Sequence, residues 1–417
     1  MVSFGGFVKW CLTSKRAVFL LLFQIGYTYY SITPLGQFSL SEVFLLLYSP
    51  FLLYSNLTTI SPVMKRFCLL LFLCFCSHLP SEIYYGVHYD LLLKRFSLLF
   101  FTFVHVLFLY VFFEKDIRFI LLVLLSSVVT NLFFKQNIEL SPDDLLEENA
   151  TYFKFRLVPA LTGFACSLPF FLNSTLSSQL GILCGLFLLI GGARSGGSIL
   201  LFASLFSMLF IRFKSFILIH LRVAVIGGLI FLYAIYLVIA HLASTGVLTS
   251  GNFRQFNDLA NPYNPIELLF KGRSEVFIAY DAFCDRPIWG HSLYSVDTEL
   301  KYTQLNNGGY YGHSLSEFRS GKLVQIPAHS VIVSSAMKSG FLAFVSYFFL
   351  FLFLFKHTFR ALSLLDINKY YLLILVQMLS LPMFFWLSPA GNLRLTYSEC
   401  FAFVLFVCNK FSYKYSL

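Results

Sequence analysis

Residues 96–113 read FSLLFFTFVHVLFLYVFF, a run with one histidine and no formally charged side chain. As a helix it would be roughly 27 Å long, close to the hydrocarbon thickness of a bilayer. It has no polar face to turn toward water, so it reads as a bilayer-crossing helix. Comparable runs lie near residues 17–34, 40–60, 66–80, 117–134, 157–173, 177–193, 196–211, 223–243, 330–355, 369–388 and 394–409. The third run is short and is expected to end at Pro80. The fold class that follows is an all-α integral membrane protein with about twelve transmembrane helices.

The composition agrees. Hydrophobic residues make up 58% of the 417 residues and charged residues 12%, about half the usual charged share of a soluble domain. So few charges could not cover the surface of a globular protein of this size. The net charge of +10 is no sign of nucleic-acid binding, because the basic residues sit in short clusters between apolar runs. Of nine cysteines, only Cys284 falls in the long polar segment, so that segment has no internal disulfide. Cys74 and Cys76 point to different faces of one helix and read as small apolar filler.

Charge placement orients the chain. Lys9, Lys15 and Arg16 precede the first run. Lys65 with Arg66, Lys115 with Arg118, Arg212 with Lys214 and Arg222, Lys356 with Arg360 and Lys369, and Lys410 with Lys414 then fall on the same side. The segment after the fifth run is acidic, with Glu139, Asp143, Asp144, Glu147 and Glu148. The positive-inside rule predicts cytoplasmic termini and puts the long loop outside, which in a bacterium with an inner membrane means the periplasm. The chain then divides into an N-terminal bundle of about nine helices (1–243), a periplasmic loop (244–329) and about three C-terminal helices (330–417).

That loop is far longer than a connector. Asn264-Pro265-Ile266-Glu267 reads as a helix start. Ile266, Leu269, Phe270, Val276, Phe277, Tyr280 and Phe283 then recur at helical spacing until Arg286-Pro287. This predicts one amphipathic helix over roughly 265–285. The stretch from Asn306 to Gly312 reads as a flexible turn.

Three residues are placed to carry chemistry. Arg194 lies in Gly191-Gly192-Ala193-Arg194-Ser195-Gly196-Gly197, on the side of the long loop. A boundary arginine can simply snorkel to headgroups. The glycines favour the other reading, in which the backbone approaches an anionic ligand and the arginine fork grips phosphate oxygens. Arg273, after Lys271 and Gly272, is a second phosphate-binding candidate. His329, in Ile326-Pro327-Ala328-His329-Ser330, is the side chain suited to take a proton from a sugar hydroxyl near neutral pH. Arg254 and Arg286 are secondary candidates, as are His291 and His313, each in an exposed Gly-His-Ser triplet. Carboxylates look scarce near this set. Asp281, Asp285 and Asp297 form no metal-ligand pattern, so neither a metal nor another cofactor is expected.

In this order the elements resemble the bacterial O-antigen polymerase and O-antigen ligase superfamily of polytopic membrane glycosyltransferases. Ala193-Arg194-Ser195-Gly196 is similar to that family's Ser-Arg-Gly stretch between two spans. Gly272-Arg273 leading to Arg286-Pro287-Ile288-Trp289-Gly290 is similar to its Arg…Pro-x-x-Gly pattern in a large periplasmic loop. His329, with Gly340 eleven positions on, is similar to its His-x10-Gly. The match covers roughly 190–345. Phe277 stands where the ligase pattern has Leu, and Ser330 where many members have Asn.

The resemblance implies a polyprenyl-pyrophosphate-linked oligosaccharide as substrate. Arg194 and Arg273 would hold the pyrophosphate leaving group, and His329 would act as general base in an inverting, metal-independent transfer. Polymerisation of repeat units into surface polysaccharide is the leading activity. Ligation of the chain to lipid A-core, which would complete lipopolysaccharide, is the alternative, and a polysaccharide transporter or flippase ranks below both. The lipid bilayer is an expected partner, and the resemblance leaves room for a chain-length regulator protein.

Overall fold

The computed structural model describes residues 3–26, 30–31, 38–56, 60–86, 88–134, 156–191, 193–246, 256, 259–305, 324–364, 370–387 and 398–412. The apolar runs fold as helices. Ser3 caps α1 (Phe4–Thr13) by accepting from the Gly6 amide, and α2 (Lys15–Gly26) follows directly. A small antiparallel pairing, β1 (Tyr30–Ser31) with β2 (Phe38–Ser39), leads into α3 (Leu40–Asn56). Ser61 caps α4 (Pro62–Cys76), whose proline sits in the first turn, where its missing N–H is no loss. The chain continues through α5 (Leu79–Tyr85), α6 (Tyr89–Lys115) and α7 (Arg118–Val129). It then forms α8 (Val158–Ser167), α9 (Ser174–Ile190), α10 (Arg194–Ile219) and α11 (Leu221–Ser244). The long loop contributes α12 (Pro265–Gly272) and α13 (Ser274–Asp285). Last come α14 (Val331–Leu364), α15 (Tyr371–Leu387) and α16 (Ser398–Ser412).

This is the architecture of a helical membrane protein. Four stretches are long and apolar enough to cross a bilayer: Pro62–Tyr85, Tyr89–Lys115, Ser195–Ile217 and Val331–Ser363. Five further apolar helices among the described residues are shorter. Outward-facing Leu69, Phe72, Leu183, Phe187 and Phe349 are exposed, as expected of surfaces that meet lipid rather than water. The interior is packed with aromatics, including Phe67, Phe108, Tyr347, Phe385 and Phe406.

Boundaries differ from the sequence reading in places. The first run, expected to be helical over 17–34, ends as helix at Gly26, and Tyr30–Ser31 is a strand. Pro80 does not end the third run; it lies in the first turn of α5, so the candidate span continues to Tyr85. The helix expected over 265–285 is two helices, interrupted at Arg273 (φ −144°, ψ 37°) directly after Gly272, a poor helix former. The acidic segment around 139–148 and the turn at 306–312 lie outside the described residues.

The basic clusters gather at one end of the bundle. Arg66, Lys356 and Arg360 all act electrostatically on His357. The Cys408 thiol donates to the His357 carbonyl at 3.0 Å. Asp116 pairs with Arg118 and feels Lys410, and Lys214 sits over the Tyr371 ring. α6 runs from Tyr89 to Lys115, roughly 40 Å, and so carries the chain from the opposite end to this one. The long loop packs at that opposite end.

Candidate functional site

α14 is two helical segments meeting at Gly340, whose φ of 77° and ψ of −163° suit glycine alone. In an unbroken helix the Phe341 amide would donate to the Met337 carbonyl. Instead Phe341 N–H donates to the Pro287 carbonyl at 2.7 Å, and the Met337 carbonyl accepts from His291 N–H at 2.8 Å. The turn over 287–291 therefore satisfies two of the backbone groups that the break releases, as buried backbone requires. A side chain on Gly340 would collide with the Ile288 carbonyl, and one on Gly290 would collide with the Lys338 carbonyl. Pro287, Gly290 and Gly340, distant in sequence, meet in one contact.

α5 holds the same turn from the other side. Tyr85 donates its hydroxyl to the Gly290 carbonyl at 2.8 Å. Arg286 donates to the Tyr85 oxygen at 3.2 Å and lies over its ring. Trp289 stacks on Tyr84 with centroids 5.3 Å apart. Glu82 is fully buried: Oε1 accepts from Ser292 Oγ (2.9 Å) and Leu293 N–H (2.7 Å), and Oε2 from the His88 amide (3.2 Å), with His88 Nδ1 3.1 Å away. One buried carboxylate thus fastens the loop to the bundle.

These contacts reassign two secondary candidates. Arg286 is engaged with Tyr85 and belongs to the docking of the turn. His291, expected to be exposed, is half-buried. Burial holds its pKa below the ordinary histidine value, and its Nε2 donates to the Ala282 carbonyl at 2.9 Å. Arg254 and His313 lie outside the described residues, as does the side chain of Arg194.

At the other end of the first segment of α14 the backbone is also packed, with Ser330, Val331 and Ile332 buried, but one side chain, His329, reaches the surface. α13 lies along this segment, with Val276, Ala279 and Ala282 against Val333 and Met337, joined by Trp386 and Leu387. Ser330 caps α14 by accepting from Val333 N–H at 3.0 Å, and donates to the Phe385 carbonyl at 3.0 Å. Ser and Asn cap helices about equally well, so the departure from Asn at this position keeps the same local role. His329, half exposed, has Nδ1 3.8 Å from Glu275 Oε1. Glu275 is in the first turn of α13, and Arg273 is the residue immediately before that helix.

Arg194 opens α10, which packs against α15, with Phe210 against Tyr371 at 5.6 Å. The glycines around it have a structural use that the sequence reading missed. A side chain on Gly197 would meet the Leu189 backbone at 2.8 Å, one on Gly185 the Leu201 backbone at 2.7 Å, and Gly196 lies against Val158. Gly185 and Gly197 let α9 and α10 approach closely and Gly196 seats α10 on α8, so packing alone accounts for Gly196 and Gly197.

Sequence reasoning missed Glu275 and Glu82. The signal for Glu82 was available: an ionisable residue within an otherwise apolar run is functional or structural by default. Nothing marked Glu275, whose partner is more than fifty residues away. Among the described residues no group of three or more His, Cys, Asp or Glu is placed to hold a metal ion. No protein-family model matches this chain, and a search of curated proteins finds no match.

Proposed function

We propose that this chain is a membrane glycosyltransferase that polymerises polyprenyl-pyrophosphate-linked oligosaccharide repeat units, with twelve spans, cytoplasmic termini and the 244–329 loop in the periplasm. The observation that carries the reading is the pairing of His329 with Glu275, beside Arg273, where α13 and α14 begin. An imidazole half open to solvent, with a carboxylate behind one nitrogen, has the form of a general base and its orienting partner.

In the proposed reaction His329 takes the proton of an acceptor sugar hydroxyl. The hydroxyl oxygen attacks the anomeric carbon, the carbon–oxygen bond to the pyrophosphate breaks, and the configuration inverts. The leaving polyprenyl pyrophosphate carries the electron pair away. Arg194 and Arg273 hold it and stabilise the charge that grows in the transition state.

The test is His329→Ala in a strain lacking the wild-type gene. Long-chain product should disappear while the protein still inserts; unchanged polymer length rejects the role. The same strain separates polymerase from ligase. Loss of polymerisation leaves short capped lipopolysaccharide, whereas loss of ligation leaves uncapped core and accumulating lipid-linked polymer.

Transport has one observation in its favour, because interrupted helices are a feature of transporters. There, freed backbone groups bind the cargo. Here Pro287 and His291 occupy the Phe341 and Met337 backbone groups freed by the break, which favours a fixed scaffold.

A further inference from the structure

Three basic side chains from separate helices meet behind the break in α14. Lys338 precedes Gly340 by two residues, Arg95 comes from the second turn of α6, and His78 from the joint between α4 and α5. The His78 ring is held on both sides, with Nδ1 2.6 Å from Ser339 Oγ and Nε2 3.2 Å from the Tyr347 hydroxyl. Ser81 donates to the Lys338 carbonyl at 3.2 Å and steadies the backbone that carries the ammonium. Lys338 keeps some accessible surface along its length, while its ammonium is enclosed by protein. The Arg95 guanidinium acts on both Lys338 and His78 as a like charge.

Among the described residues no carboxylate pairs with Lys338 or Arg95. Glu82 is taken up by Ser292, Leu293 and His88, and Asp90 lies beside Lys94. Enclosing the Lys338 ammonium with a second cation near it and no counter-charge costs desolvation and repulsion, both of which a bound anion relieves. The second segment of α14 also begins here, and the dipole of its N-terminus adds positive potential. A guanidinium fork with an ammonium beside it matches the oxygens of a phosphate group.

We propose that Arg95 and Lys338 form a binding site for a phosphate-type anion at the break in α14, separate from Arg194 and Arg273. The site stands independently of the polymerase reading, since anion binding here does not require His329 to act as a base. Its phosphate could belong to a lipid headgroup or to a soluble anion, and the two sources are separable.

The full chain carrying Arg194→Gln and Arg273→Gln isolates the site from the one beside His329. In maltoside micelles it is titrated with inorganic pyrophosphate by calorimetry. In nanodiscs containing phosphatidic acid, native mass spectrometry counts retained lipid. Binding of at least one probe is expected. It should fall at least tenfold on adding Arg95→Gln or Lys338→Met and persist with Lys338→Arg. Loss confined to pyrophosphate identifies a soluble anion, and loss confined to phosphatidic acid a headgroup. If the folded parent binds neither probe, or both neutral variants bind as the parent does, the proposal is overturned. Arg95→Gln, on a less enclosed side chain, decides the matter if Lys338→Met fails to fold.

Discussion

The segment between His329 and Gly340 has two unlike ends. At Gly340, hydrogen bonds of 2.7 and 2.8 Å join α14 to the 287–291 turn, and Glu82 beneath it has both oxygens occupied. At His329, the ring is half exposed and its partner Glu275 stands at 3.8 Å, beyond hydrogen-bond reach. At the tight end the Phe341 amide, the Met337 carbonyl and both Glu82 oxygens are occupied within the fold. The other end presents the His329 ring and the Glu275 carboxylate at the start of two helices. A rigid support with a polar edge open to solvent is how binding and catalytic groups are commonly presented.

The largest effect that would break this contrast is at Gly340. Gly340→Val combines a left-handed φ with a clash into the Ile288 carbonyl and should cost more than about 4 kcal/mol, leaving little folded protein after detergent extraction. Melting like wild type would show that the break is not fixed as described. Next is Glu82→Gln, which leaves a buried donor without its acceptor and should cost about 2 kcal/mol. Limited proteolysis should then cut faster near 286–294, and an unchanged cleavage pattern would remove Glu82 from the support. At the His329 end, Glu275→Gln should leave the melting temperature unchanged and slow turnover about tenfold; a loss of fold instead would make Glu275 part of the scaffold.

The smallest effect sharpens the edge of the docked region. Bonds from Lys301 and Tyr302 hold the Asp285 carboxyl below its ordinary pKa. A lowered folded pKa means the stabilisation is complete above the unfolded value of about 3.9 and is lost as pH falls through the folded value. Thermal melts between pH 6 and 3 should show slightly less acid sensitivity in Asp285→Asn than in wild type. The exposure of the pair keeps this shift small.

Much of this was legible in the chain. Apolar runs such as 96–113 announced the helices, because hydropathy and length are local properties. Pro287, Gly290, His329 and Gly340 stood out as a motif, though the meeting of Pro287, Gly290 and Gly340 at one break could not be read from spacing. Glycine was the least legible residue type. Around Arg194 it suggested a ligand but at Gly196 and Gly197 serves helix packing, while at Gly340 it marks a break that looked like an ordinary span. Glu275 and Glu82 were missed because each acts through a partner far away in sequence. The aromatic periodicity over 265–285 concealed the interruption at Arg273, since two short helices can share one apolar face.

The most direct test of the two-ended account is hydrogen exchange of the full chain in nanodiscs, resolved to peptides covering 287–293, 326–330 and 337–343. The account predicts slow exchange for the His291 and Phe341 amides, comparable to the bundle interior, and faster exchange around His329. Equally fast exchange at both ends would contradict it, because the turn would then not be fixed to the break in α14.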